Sequence, residues 1–231
     1  MAYSRAISEE SLPGADELTA RMVGIGMRFA APPRPDADIE QTLLHASILG
    51  MDEGDFRVLA VLTTWLGVHH AHLNADRLVR LAKGQRSPRV HAYWSAVATW
   101  LHKDRRLARL RAGYEGAPVE LLPTGTELQL QRRGEDPRFA GSKLRVPHGT
   151  LRDRADDVLS PESLVQRHAG YRNRVLMGPS FRADVWTELE RAPASSVADV
   201  ARRARCSFAT AWQAAKDYHL LRAASQSAAT R

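Results

Sequence analysis

Cysteine is almost missing from this chain: there is one, Cys206, among 231 residues. No disulfide can form within the chain, which excludes the stapled secreted scaffolds and leads us to expect a cytoplasmic protein. Paired CxxC spacings and the HExxH pattern are also absent, so none of the familiar zinc frameworks can be written on it. Its glycines make no nucleotide loop, because Gly24 and Gly26 have neither a third glycine nor a strand before them. Long apolar runs are lacking too. The longest stretch without a charge, 58–75, carries three histidines, two threonines and an asparagine, and makes a poor membrane span. The opening MAYSRAISEE is polar and acidic, unlike a secretory leader.

What is present is 44% hydrophobic and 26% charged residues, the balance of a soluble globular chain. The length suits one large domain or two to three small ones. The net charge of +7 is unevenly placed: residues 1–70 carry −5, 71–100 carry +4, 101–154 carry +5, 155–164 carry −3 and 165–231 carry +6. Concentrated positive charge favours a polyanionic partner, because neutralising phosphates releases counterions. Arginine use in a GC-rich genome would raise the pI in the same way without any function.

Residues 195–221, SSVADVARRARCSFATAWQAAKDYHLL, carry the clearest local pattern. A short helix is expected over 197–204, with Val197, Val200, Ala201 and Ala204 apolar, and a tight turn at Arg205 and Cys206. Ser207 stands where an N-cap is wanted, its hydroxyl accepting a bond from a free backbone N–H. The following helix, 208–218, keeps a stripe at Ala211, Ala214, Ala215 and Tyr218. Small residues let two helices cross closely, as in a helix-turn-helix, whose second helix enters the major groove of DNA. Ser207, Phe208, Thr210, Gln213 and Lys216 then fall on or beside the outer face. Gln213 suits the two-pronged recognition of an adenine edge, and Ser207 and Thr210 suit a phosphate or base edge near the helix start. Lys216 and the Arg202, Arg203 and Arg205 run are expected to meet phosphates, the alternative for the run being a solvated helix face. Trp212 is expected at a dimer or domain contact, the alternative being a contact with DNA.

A second stretch repeats this pattern upstream. Asn74 caps a helix to Lys83, a turn spans 84–86, and Ser87 and Pro88 supply a cap and a first helical residue for a helix over 89–101. Val90, Trp94, Val97 and Leu101 share one face of it. ADRLVRLAKGQRSPRVHAYWSAV set beside VADVARRARCSFATAWQAAKDY predicts a tandem of helix-turn-helix units, or else an ordinary helical core upstream. Arg86 and Arg89 flank the cap, and the planar fork of Arg89 suits a guanine. Arg105, Arg106, Arg109 and Arg111 form a basic strip, suited equally to phosphates or to solvent.

The rest divides as follows. Residues 1–37 read as an N-terminal arm, with APPRP at 31–35 extended. Residues 38–116 read as a helical domain. It opens with a helix over 39–49 ended by Gly50, then one over 52–66 whose acidic start at Asp52, Glu53 and Asp55 complements the helix dipole. Residues 117–160 read as a β-hairpin or wing with linker, because ELQLQ at 127–131 and KLRVP at 143–147 alternate polar and apolar. Residues 161–231 read as the C-terminal helix-turn-helix domain, approached through a helix over 160–170 and one over 180–191 with Phe181, Val185, Trp186 and Leu189 inward. The fold class expected is mostly α with a small β-hairpin, built of tandem helix-turn-helix or winged-helix units.

GYRNRVLMGPSFRADVWTELE at 170–190, with the pattern that follows it, resembles bacterial winged-helix transcriptional regulators. Among these it is most similar to the regulator-antitoxins paired with abortive-infection nucleotidyltransferase toxins. The likeness covers 170–221, about a quarter of the chain. It implies a homodimer on a palindromic DNA site and a partner toxin. One departure stands out: the RAASQSAATR after Leu221 is too short and too rich in small residues for a wing.

Enzyme readings find little support. His69, His70 and His72, with His45, Asp76 or His91 as a further ligand, are the best metal candidates, but match no known spacing. Cys206 has no histidine partner in sequence and reads as a small filler in a turn. Asp52, Glu53 and Asp55, with Asp153, Asp156 and Asp157, could be imagined as nuclease carboxylates, but a helix start explains the first group without chemistry. The expectation is a DNA-binding regulator, with no catalytic residue, metal or cofactor, acting on double-stranded DNA as a homodimer. The alternative is an antitoxin-type protein that covers a toxin and autoregulates its operon.

Overall fold

The computed structural model describes residues 12–35 and 37–229. They form twelve α-helices and one small sheet. The first half holds α1 (Ala15–Gly24), α2 (Ile39–Asp52), α3 (Phe56–His69), α4 (Ala75–Lys83), α5 (Pro88–Trp100) and α6 (Ala108–Arg111). The middle holds β1 (Val119–Glu120), α7 (Thr126–Arg133) and β2 (Leu144–Arg145). The last part holds α8 (Pro161–Arg167), α9 (Ala169–Met177), α10 (Phe181–Arg191), α11 (Val197–Arg203) and α12 (Phe208–Ala229). No helix among the described residues is long and apolar enough to cross a membrane.

Short polar side chains start most of these helices by satisfying a free backbone N–H. Asp38 accepts from Gln41 N, Asp55 from Val58 N, Asn74 from Arg77 N and Ser87 from Val90 N. Ser160 and Ser196 do the same for α8 and α11. Pro88 and Pro161 occupy first helical positions, where the missing N–H costs nothing.

Two apolar clusters result. The larger gathers α1 to α6, α8, α9 and the sheet region around Trp65, Tyr93, Trp94, Phe139 and Tyr171. The smaller belongs to α10–α12: Val185, Leu189, Val200, Ala201, Ala204, Ala211, Ala214, Ala215 and Tyr218. An alanine-rich cluster gains less from leaving water than one of Leu and Trp, since the gain scales with area at about 25 cal/mol per Å². The C-terminal helices therefore owe their placement partly to the polar contacts described below.

Several expectations need correcting. Residues 12–35 are no loose arm: α1 buries Leu18 and Met22, and Ile25 and Met27 follow them into the core. Trp65 Nε1 donates to Ile25 O at 2.8 Å, fixing the segment. Residues 1–11 of the expected arm lie outside the described residues. Gly24 sits where Arg34 O fills the space a Cβ would need, so its reason is close packing. Gly50 does not end α2. It lies inside the helix because Leu59 of α3 presses there, 2.8 Å from where a Cβ would be. The helix expected over 160–170 divides at His168, whose extended backbone separates α8 from α9.

The β-hairpin is also overturned. ELQLQ lies in α7, where Thr126 and Leu130 share a buried face at helical spacing. Five alternating residues fit either period, and the burial of one helical face decided it. The strands are parallel, with Val119 opposite Leu144 and Glu120 opposite Arg145. A parallel pair needs a crossover rather than a tight turn, and the segment containing α7 supplies it. This pair makes no hairpin wing.

Candidate nucleic-acid interface

α11 packs Val200, Ala201 and Ala204 against α10 and α12. At its end Arg205 adopts φ 54°, the one non-glycine residue with positive φ among those described. Arg205 N–H bonds Arg202 O at 3.2 Å and Cys206 N–H bonds Ala201 O at 3.0 Å, which closes the helix and turns the chain sharply. Ser207 Oγ then accepts from Thr210 N at 3.1 Å and pairs with Thr210 Oγ1 at 2.8 Å, starting α12.

α12 has two distinct faces. Ala211, Ala214, Ala215 and Tyr218 are buried, and Tyr218 O–H donates to Leu189 O at 3.3 Å. Ser207, Phe208, Thr210, Gln213 and Lys216 are all exposed, Phe208 by 60%. Trp212, expected at a dimer or domain contact, stands 51% exposed on this chain, with Lys216 Nζ 5.8 Å from its ring centroid.

The arginines expected beside these residues face elsewhere. Arg202, Arg203 and Arg205 line a cleft of about 400 Å³ between α11, α10, α9 and the start of α2. Arg77, Arg174 and Arg191 line it too, as do Asp38, Asp184 and Glu188, but none of the exposed α12 residues does. Arg203 Nε meets Glu188 at 2.6 Å and its Nη2 meets Ser195 Oγ at 2.9 Å. Arg202 pairs with Asp199 at 2.7 Å, and Arg205 Nη2 donates to Gln41 Oε1 at 3.1 Å. The sequence-expected residues are thus divided between an exposed face of α12 and a separate arginine-lined cleft.

The upstream pair has the expected cap and turn but not the expected exposure. Val90, Ala92, Tyr93, Trp94, Ser95, Ala96, Val97 and Ala98 of α5 are all buried. Trp94 Nε1 donates to Ser47 Oγ at 3.0 Å deep in the body. Arg89 does not point to a nucleic acid: its guanidinium donates to Met51 O at 2.8 Å and to Glu120 O and Leu121 O at 3.1 Å each. It straps α2 to β1. Arg86 stays exposed at the turn. In the basic strip, Arg106 pairs with Asp104 and donates to the carbonyls of His70, Ala71 and Leu73, while Arg109 pairs with Asp76.

A buried ionic network escaped the sequence reading. Arg174 of α9 donates to Glu40 Oε1 at 2.7 Å and Oε2 at 2.8 Å, and to Asp184 Oδ1 at 2.8 Å. Asn74 Nδ2 holds Asp184 Oδ2 at 2.8 Å, and Asn74 N–H bonds Glu40 Oε1 at 2.9 Å. Arg77 adds contacts to Asp184 and Asp38. Burial works against the charge on Asp184, yet Arg174 and Arg77 hold its carboxyl below the usual range. For Glu40 burial wins and pushes the carboxyl up, against the pull of Arg174. The signal in the sequence was a charge at an inward position of an apolar stripe: Glu40 beside Ile39 and Leu43, and Asp184 between Ala183 and Val185.

The other chemical candidates are engaged in packing. His69 Nε2–H donates to Leu159 O at 3.0 Å, a carbonyl that can only accept, so Nδ1 accepts from Tyr171 O–H at 2.8 Å. Burial lowers the pKa of His69 to about 4 and raises that of the Tyr171 hydroxyl. His70 bonds Leu66 O. Among the described residues no three His, Cys, Asp or Glu side chains come together as a metal would need. Cys206 packs against the smaller cluster, and burial pushes its thiol up.

The described residues therefore define a mostly helical protein with one short parallel strand pair, ending in three helices of which the last is open on one face. Comparison with protein families, with curated proteins and with solved structures finds no match.

Proposed function

We propose that the chain is a DNA-binding transcriptional regulator that reads the major groove through α12. The supporting observation is the division of that helix: an alanine stripe sealed against α10 and α11, and Ser207, Phe208, Thr210, Gln213 and Lys216 together in solvent. A major groove about 12 Å wide admits a helix of this kind. Its N-terminal turn presents the hydroxyls of Ser207 and Thr210, near the positive end of the helix dipole, to a phosphate. Phe208 suits a thymine methyl, Gln213 an adenine edge and Lys216 a phosphate. We assign reading to α11–α12 alone, because the matching helix of the upstream pair is core. Leu220 and Leu221, exposed on the far part of α12, offer a contact for a second copy, as a palindromic site would need.

The test is fluorescence anisotropy with DNA from upstream of the protein's own gene. Binding should weaken with salt at a slope steeper than about −4 on logarithmic axes. Absence of sequence-preferring binding at low salt ends this reading.

A second reading is favoured by Phe208 and Trp212, large apolar side chains left exposed on the same helix. In it the chain is an interaction protein of antitoxin type, consistent with the resemblance of 170–221, and α12 covers a partner toxin. A tight complex with the product of a neighbouring gene, lost in Trp212→Ala and accompanied by no DNA binding, would select it.

A further inference from the structure

The cleft that draws Arg202, Arg203 and Arg205 away from the reading face has a character of its own. Six arginines line it against three carboxylates, Asp38, Asp184 and Glu188. On its inner side Arg174 and Arg77 are committed to the buried network, where Arg77 keeps an Nε–H without an acceptor. On its outer side Arg191 shares Glu188 with Arg203, at 3.0 Å, and Arg202 and Arg203 have donors to spare. Of five N–H groups each, Arg202 uses one on Asp199, and Arg203 uses two on Glu188 and Ser195. Such forked donors suit phosphate or carboxylate groups.

The volume of about 400 Å³ exceeds what a single inorganic ion fills and lies within the range of small-molecule sites. No Phe, Tyr or Trp lines the cleft. The one ring, His168, has both nitrogens taken, Nε2 by Ala37 O at 2.9 Å and Nδ1 by Tyr171 N–H at 3.0 Å. A nucleobase would find no Phe, Tyr or Trp face to stack on, whereas an aliphatic polyanion needs none. We propose that this cleft is an effector site for a small aliphatic polyanion, a phosphorylated sugar or a polycarboxylate, held by Arg191, Arg202 and Arg203.

The same cleft wall is the turn that orients α12. Arg205, with its left-handed backbone, reaches Gln41 of α2, and its carbonyl accepts from Arg80 Nη1 at 3.4 Å. An anion drawn in beside Arg205 competes for that tether and adds negative charge next to the unit that meets DNA. Occupancy then weakens DNA binding; this regulatory part rests on the DNA-reading proposal, while occupancy itself does not.

The experiment is a thermal melt of the full chain with glucose 6-phosphate and, separately, with citrate. The controls are neutral glucose and sodium chloride at matched ionic strength. A saturable rise in Tm of about 5 °C is expected at a hundredfold excess over Kd, and whichever probe produces it names the anion class. The rise disappears in Arg191→Gln/Arg203→Gln and persists in Arg132→Gln on α7. Should the double variant misfold, Arg202→Gln, which gives up one exposed ion pair, must weaken the effect at least fivefold. No saturable rise with either probe, or a rise that survives these cleft substitutions, overturns the site. With the site established, saturating anion lowers affinity for promoter DNA about tenfold, and DNA lowers affinity for the anion by the same factor. Unchanged DNA affinity overturns the regulatory part, and a chain that binds no DNA at all still answers the thermal test.

Discussion

The α4–α5 and α11–α12 pairs share one local grammar and have opposite fates. Each is a short helix, a turn, a serine that caps, and a longer helix with an apolar stripe. α5 lies in the body with Tyr93 and Trp94 almost fully enclosed, whereas α12 shows solvent an entire face. The difference lies in the residues off the shared stripe. Around α5 they include Ala92, Ser95, Ala96 and Ala98, small enough for neighbours to approach from several sides, and Tyr93, whose ring is itself enclosed. Around α12 they include Thr210, Gln213 and Lys216, all exposed, which would lose water contacts if enclosed. Caps and turns specify a helix pair; the off-stripe residues decide whether its second helix is core or surface.

The sharpest way to break this comparison is to truncate one tryptophan on each second helix. Trp94→Ala leaves a cavity and removes the bond that Ser47 Oγ accepts, leaving the one it donates to Leu44 O, and should cost about 3–5 kcal/mol of unfolding free energy. Trp212→Ala, on the open helix, should stay within about 0.5 kcal/mol. Urea denaturation measures both, and equal losses would mean that α12 is covered in solution.

Next in size is the joint between the two regions. Asp184→Ala removes a carboxylate that faces Arg174, Arg77 and Asn74. Leaving a buried guanidinium short of a partner costs about 3–5 kcal/mol. Because the α10–α12 cluster is rich in alanine, the loss should be felt there first. Hydrogen exchange is expected to quicken across 181–218 before it does in α2 and α3. Uniform acceleration over the whole chain would show that the network does not position the C-terminal helices separately.

Acid should act on the body through His69. Its pKa is about 4 when folded against 6.5 when free, so between these values the unfolded chain takes up a proton that the folded one refuses. The stability is complete above pH 6.5 and falls as the pH drops towards 4, by about 3 kcal/mol in all. Burial lowers His168 in the same direction. Urea midpoints at pH 7.5, 5.5 and 4.5 should trace the decline, and His69→Gln should flatten it. A wild-type midpoint that does not move between pH 6.5 and 5 would contradict this account.

Local signals were legible in the sequence. Asn74, Ser87, Pro88, Ser160 and Pro161 stand at the helix starts their chemistry predicts, and the Ala211, Ala214, Ala215 and Tyr218 stripe faces inward as its spacing requires. What stayed hidden was whatever depends on distant residues. Gly50 reads as a helix end until Leu59 is seen pressing on it. ELQLQ is too short for its period to separate strand from helix. Arg89 looks like a base reader until three carbonyls from two other segments claim it. The arginines of α11 were placed with α12 by their nearness in sequence, and α2 and α10 gave them a different neighbourhood.

The finest test sets Gln213 against Arg89, the two residues whose side chains best suit a base edge. Gln213 is exposed on α12, off its buried alanine stripe. Gln213→Ala should weaken binding to the preferred DNA by about 1–2 kcal/mol, roughly tenfold, and leave binding to unrelated sequence unchanged. Arg89→Ala should do the reverse: it frees the carbonyls of Met51, Glu120 and Leu121, lowers the urea midpoint, and leaves the ratio of specific to nonspecific affinity as it was. Anisotropy titrations on both DNAs, alongside denaturation of each variant, separate the two effects. If Arg89→Ala narrows that ratio while Gln213→Ala does not, reading belongs to the upstream pair and the division between buried and open helices has been drawn in the wrong place.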